Sequence, residues 1–211
     1  MTASATLRDA PKRVSERDPG RLAMWIFLAT ELLFFGGVFA AYLYGRTAWP
    51  QGFGLASRHT DVVLGTLNTG LLLSSSALVA LAAACAQNAR HAHWTARLLS
   101  MAAWLGVAFL VVKGLEYRRE WHAGLFPVPG FALAGTDGAA LFFMLYFTAT
   151  ALHALHLAVG IGVLAVFARG CARRRAWADA HRIDIAALYW HFVDVVWIFL
   201  YPLLYLVERH T

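Results

Sequence analysis

The chain has 211 residues, 60% of them apolar and 14% charged, and its mean hydropathy is +0.57. Soluble domains average about 45–50% apolar and about 25% charged residues, so the composition excludes an ordinary soluble domain and points to lipid as the solvent. The formal net charge of +6 sits at the ends of apolar runs rather than in one basic patch, which argues against nucleic acid and for a membrane surface, and two widely separated cysteines, Cys85 and Cys171, exclude a disulfide framework or a zinc ribbon.

A bilayer core of about 30 Å takes about 20 apolar residues per helix. In chain order the sequence opens with a charged, flexible arm over 1–21 and then offers five candidate spans, at about 22–44, 62–86, 98–117, 138–168 and 184–207, before a short tail over 208–211. The expected fold is all-α, a polytopic membrane protein built as one five-helix bundle over 22–207. The first apolar run is too long and too late for a signal peptide. The loops are too short for a soluble catalytic domain, so function has to lie within or between the helices. The runs Trp49-Pro50-Gln51-Gly52 and Pro127-Val128-Pro129-Gly130 cannot continue a helix.

Lys and Arg in short loops set orientation. The arm carries Arg8, Lys12, Arg13, Arg17 and Arg21, the loop 87–97 carries Arg90 and Arg97, and the loop 169–183 carries Arg169, Arg173, Arg174, Arg175 and Arg182. The opposite side carries Arg46, Arg58, Arg118, Arg119 and Arg209. This asymmetry places the N-terminus in the cytoplasm and the C-terminus outside.

An ionisable side chain inside a span costs about 2.5–3.5 kcal/mol on insertion scales, so each one implies a partner or a task. Glu31 lies in the first span, Asn68 in the second, Lys113 and Glu116 in the third, His153 and His156 in the fourth, and His191 and Asp194 in the fifth. Residues three apart share a helix face. Lys113 and Glu116 are expected to form an ion pair within their helix, the alternative being a proton relay. His153, His156, His191 and Asp194 could converge as metal ligands if the fourth and fifth spans pack together, but carboxylates are scarce nearby and imidazoles also bridge helices by hydrogen bonds. A bis-histidine haem between those spans, with Gly160 and Gly162 clearing space for the ring, is a further option. For Glu31 the plain expectation is a neutral acid hydrogen-bonded to a neighbouring helix.

Several strings together resemble subunit III of the haem-copper respiratory oxidases, the cytochrome c oxidase subunit 3 family. They are Thr30-Glu31-Leu32-Leu33-Phe34-Phe35, Leu67-Asn68-Thr69 with Leu73-Ser74-Ser75, Glu116-Tyr117, His153 with His156-Leu157-Ala158-Val159-Gly160, and Tyr189-Trp190-His191-Phe192-Val193-Asp194-Val195-Val196-Trp197. They cover all five spans in family order. Longer members have seven spans, and this chain is similar to the short five-span forms. Lys113, where many oxidase subunits carry Gln, Ser74-Ser75, and the ending Tyr201-Pro202-Leu203-Leu204-Tyr205-Leu206 look more like relatives associated with nitric oxide reductases.

The resemblance implies that Glu31, Asn68, Glu116, His153, His156, His191 and Asp194 occupy the family's motif positions, with structural or proton-uptake roles. It further implies a cofactor-free, non-catalytic subunit in the inner (cytoplasmic) membrane. Haem and copper would belong to partner subunits, with subunit I and also subunit II as partners, and phospholipid would be bound. Two other classes stay open on the residues alone: a metal- or haem-bearing membrane oxidoreductase built on the His/Asp positions, and a small proton-coupled transporter using Glu31 and the histidines.

Overall fold

The computed structural model describes residues 19–206. Most of the arm expected over 1–21, and the tail over 208–211, lie outside the described residues. The chain forms α1 (Pro19–Ala48), α2 (Pro50–Ser57), α3 (Val62–Ala86), a single 3-10 turn (Ala89–His91), α4 (Ala92–His122), α5 (Ala139–Ala172) and α6 (Ala180–Tyr205). Five of these, all but α2 and the 3-10 turn, are long and apolar enough to cross a membrane. The protein is therefore a multi-pass, all-helical membrane protein. Four spans run past the expected bounds at one or both ends, because amphipathic residues such as Arg97, Arg118 and Arg119 continue a helix that hydropathy alone would stop.

Local chemistry sets the boundaries. Asp61 caps α3 by accepting hydrogen bonds from the backbone N–H groups of Val63 (3.1 Å) and Leu64 (3.2 Å), and Asp179 caps α6 by accepting from Arg182 N–H (2.8 Å). Trp49 does interrupt the first helix, but Pro50 then starts α2, since a missing N–H and a fixed φ suit a first helical position. Gly138, at φ +87°, turns the chain into α5 in a conformation that only glycine adopts at little cost.

The spans α3, α4, α5 and α6 form a closed ring in which each packs on its two neighbours, while α1 lies across α5 and α6 and α2 rests on α5. One end of the bundle carries α2, the 123–138 loop and Tyr205; the other carries the 87–91 turn and the 173–179 loop. The ring is filled by aromatic residues, among them Phe109, Phe142, Phe143, Tyr146, Trp190, Trp197 and Tyr205, all nearly or completely buried. Trp190 sits in a notch made by two glycines: a Cβ on Gly106 would come within 2.9 Å of its ring, and one on Gly160 within 3.0 Å. Outward faces are apolar, with Leu33 78% and Trp104 72% exposed, as a lipid-facing surface requires.

At the Tyr205 end, Pro202 interrupts the hydrogen-bond ladder of α6. The carbonyls of its last turn find other donors: Tyr42 of α1 donates its hydroxyl to Leu203 O, and the Thr60 hydroxyl lies 3.3 Å from Leu204 O.

Candidate functional site

The densest polar group in the bundle forms around Lys113. Its helical neighbour Glu116 is one turn away and Glu120 lies on the same face one turn further, so a single stripe of α4 presents an ammonium and two carboxyl groups to the interior. The Lys113 ammonium uses all three of its donors. It bonds Glu116 Oε2 at 3.0 Å, Tyr146 Oη of α5 at 2.7 Å and Tyr205 Oη of α6 at 2.5 Å. Tyr205 donates to Glu116 Oε1 at 2.7 Å, and Tyr146 has Glu120 Oε1 at 2.6 Å and Glu116 Oε1 at 2.9 Å as acceptors. The Lys113 Nζ also lies 4.5 Å from the Tyr146 ring centre and 5.1 Å from that of Tyr117, within range of cation–π attraction. Lys113, Glu116 and Glu120 are all at most 5% exposed. The cluster joins three helices, and the second oxygen of Glu120 has no hydrogen-bond partner.

A second pairing lies between α1 and α5. His156 Nε2 is 3.0 Å from Glu31 Oε2, and its Nδ1 is 2.8 Å from Leu152 O, where a carbonyl calls for an N–H donor. Phe35 packs edge-on against the imidazole. Tyr189 of α6 donates to His156 O at 3.0 Å, so this station also ties three helices. A third pairing joins α6 to α3, with His191 Nδ1 2.7 Å from the Ser76 hydroxyl.

His153 points elsewhere. It is 1% exposed and packs against Phe109 and Trp197, with ring centres 5.5 and 5.1 Å apart. Asn68 and Asp194 are also buried, at 0% and 3% exposure. The Trp197 indole N–H donates to Thr69 Oγ1 at 3.0 Å.

The four residues that could have converged as metal ligands do not meet. Although 153 and 156 are one turn apart, the helix turns His153 into the ring and His156 toward α1; His191 turns to Ser76 while Asp194 stays inside. Among the described residues, no three His, Cys, Asp or Glu side chains gather closely enough to hold a metal ion. The space a haem would need beside Gly160 is filled by Trp190. The structure thus joins Lys113 with Glu116, and Glu31 with His156, sets Asp194 beside the Ser76 hydroxyl, and leaves Asn68 and His153 as separate interior groups. Sequence reasoning missed Glu120, Tyr146 and Ser76, and it marked Tyr205 only as part of the string that ends the last span. Of these, Glu120 carried a signal, because positions 113, 116 and 120 form one helical stripe.

Comparison with known proteins matches the sequence to a family. Residues 13–208 match the family described as cytochrome c oxidase subunit III. The chain is 32% identical to cytochrome c oxidase subunit 3 of Thermostichus vulcanus over 89% of this chain and 87% of that one. It is 28% identical to the subunit 3 of Corynebacterium diphtheriae over 99% and 100% of the two chains. It is also 30% identical to the haem-copper oxidase subunit I+III of Aeropyrum pernix over 90% of its own length, but it spans only 23% of that longer relative. The five apolar spans, the inward polar residues and a match over nearly the whole chain agree: this chain belongs to the cytochrome c oxidase subunit III family of the haem-copper oxidases.

Proposed function

We propose that this chain is the non-catalytic subunit III of a haem-copper terminal oxidase in the cytoplasmic membrane, with its N-terminus inside and its C-terminus outside. Its task is to bind and stabilise subunit I and to support proton uptake through intramembrane polar groups such as Glu31 and His156. Haem and copper reside in the partner subunits, subunit II among them, and phospholipid occupies the lipid-facing grooves.

The observation that carries this reading is how the polar groups are used. Lys113, Glu116, Glu31, His156 and His191 spend hydrogen bonds tying helices to one another. The outward face of α1, with Trp25, Leu33 and Phe34 exposed, offers a broad apolar surface to a neighbouring helix or to lipid. The Aeropyrum relative, whose name joins subunits I and III, supports proximity between the two.

Affinity purification of the tagged chain from native membranes is expected to recover a haem-bearing subunit I. A complex stripped of this chain is expected to start at normal turnover and then lose activity faster. Recovery of the chain without any haem-bearing partner would refute the reading. One observation favours a second reading, a subunit III-like protein associated with nitric oxide reductase: Lys113 and Tyr205, two of the residues on which that resemblance rests, are in direct contact. The haem-bearing protein recovered with the chain separates the two readings.

A further inference from the structure

Of the buried side-chain atoms that have no hydrogen-bond partner, five belong to three residues of the ring helices: both amide atoms of Asn68, Nε2 of His153 and both carboxyl oxygens of Asp194. Each is linked to one indole, that of Trp197. The His153 ring centre is 5.1 Å from that of Trp197, Asn68 adjoins the threonine that accepts the Trp197 N–H, and Asp194 lies one turn before Trp197 on α6. Buried polar groups in folded proteins are almost always satisfied, and inside a bilayer there is no bulk water to do it. A partner subunit cannot reach these atoms, because none of the three residues is more than 3% exposed.

The chemistry of the five atoms narrows the ligand. The Asn68 amide nitrogen needs an acceptor, whereas the Asn68 oxygen and an ionised Asp194 need donors. A bare cation cannot accept from the amide nitrogen, and a bare anion cannot donate to the oxygens. Water does both, and buried waters typically make about three hydrogen bonds to such otherwise unpaired groups. We propose that a cluster of ordered water molecules occupies the centre of the α3–α4–α5–α6 ring around Trp197, held by Asn68, His153 and Asp194. Subunit III then has a hydrated core within its own bundle, apart from any surface it shares with subunit I.

X-ray radiolytic footprinting of the purified complex tests this, because hydroxyl radicals made from bound water oxidise the side chains beside it. Oxidation of Trp197 and Phe109, both buried beside His153, is expected to exceed several-fold that of Phe53 and Phe142, which are equally buried but lie in aromatic packing away from the three residues. Equal oxidation of the two sets, whether high or low, would overturn the proposal. In the Asn68→Leu variant, oxidation of Phe109 and His153 should fall to the level of Phe53; unchanged oxidation would remove Asn68 from the site. If that variant does not assemble, the comparison within the wild-type complex still decides.

Discussion

Replacing Lys113 by Met strips the buried cluster of its ammonium and leaves the carboxyl groups of Glu116 and Glu120 facing each other. The Lys113 and Glu116 side chains are 3% and 2% exposed, so solvent screens the pair very little. Removing one partner of such a buried pair costs about 3–5 kcal/mol, mostly because the other charge is stranded. Loss of the cation from its place 4.5 Å over the Tyr146 ring adds about 1 kcal/mol. At about 1.4 kcal/mol per tenfold, the single variant should shift the folding equilibrium by at least two orders of magnitude.

Adding Glu116→Gln removes the stranded charge and keeps an acceptor for the Tyr205 hydroxyl, which now donates at 2.7 Å. Glu120 still has Tyr146 at 2.6 Å, so the double variant should regain roughly half of the loss or more but fall short of wild type. The assay is the yield and thermal midpoint of the complex purified in detergent, for wild type, Lys113→Met, Glu116→Gln and the double variant. If the double variant is as damaged as Lys113→Met alone, the stranded carboxylate is not the source of the damage and the reasoning fails.

Glu31→Gln retains a group able to bond His156 Nε2 and should assemble normally, whereas Glu31→Ala leaves His156 unpaired and should cost about 1–3 kcal/mol, read as complex yield. A Gln variant that assembles but inactivates quickly would show instead that Glu31 moves protons. Asp61→Ala removes the cap of α3 and should lower stability by about 0.5–2 kcal/mol. Arg119→Ala should cost no more than a few tenths of that kind of unit, because the Arg119 side chain of the 3.3 Å pair is 69% exposed. Thermal midpoints rank the two, and an equal loss would assign the effect to the pair rather than the cap. Gly106→Ala drives a methyl against Ile161 and Trp190 at 2.9 Å and should cost about 1–3 kcal/mol. Gly162→Ala, with nothing within 4 Å of the added atom, should be neutral or slightly stabilising on the same measurement.

The five spans were legible because lipid imposes one rule on all of them, a run of apolar residues long enough to cross. The helix α2 was not, since eight residues containing two glycines and an initial proline carry no periodic signal that separates them from a loop. The contact of Lys113 with Glu116 could be read from spacing because both ends lie on one helix. Tyr146 and Tyr205, 33 and 92 residues further along, could not, since which helices adjoin is decided by packing. The same limit explains His156. Spacing groups it with His153, but a step of three residues rotates the side chain by about 60°, enough to send one imidazole into the ring and the other to Glu31, 125 residues away. The family resemblance marked Glu31, His153 and His156 without saying which would touch.

The way α6 is fastened bears on how the protein is made. It is the last of the six helices to be synthesised, yet it supplies the Tyr205 hydroxyl to Lys113 and Glu116, and its final turn takes hydrogen bonds from Tyr42 and Thr60, made much earlier. Until α6 inserts, the charged stripe of α4 lacks one wall and the two hydrogen bonds that Tyr205 makes to it. A bundle lacking α6 would therefore have an open, polar-lined side, which this one helix closes. Cellular abundance of the subunit should thus depend more on how quickly α6 follows α5 than on the intrinsic stability of any earlier pair of helices, and defects at this end should appear as degraded nascent chains, not as a slow enzyme.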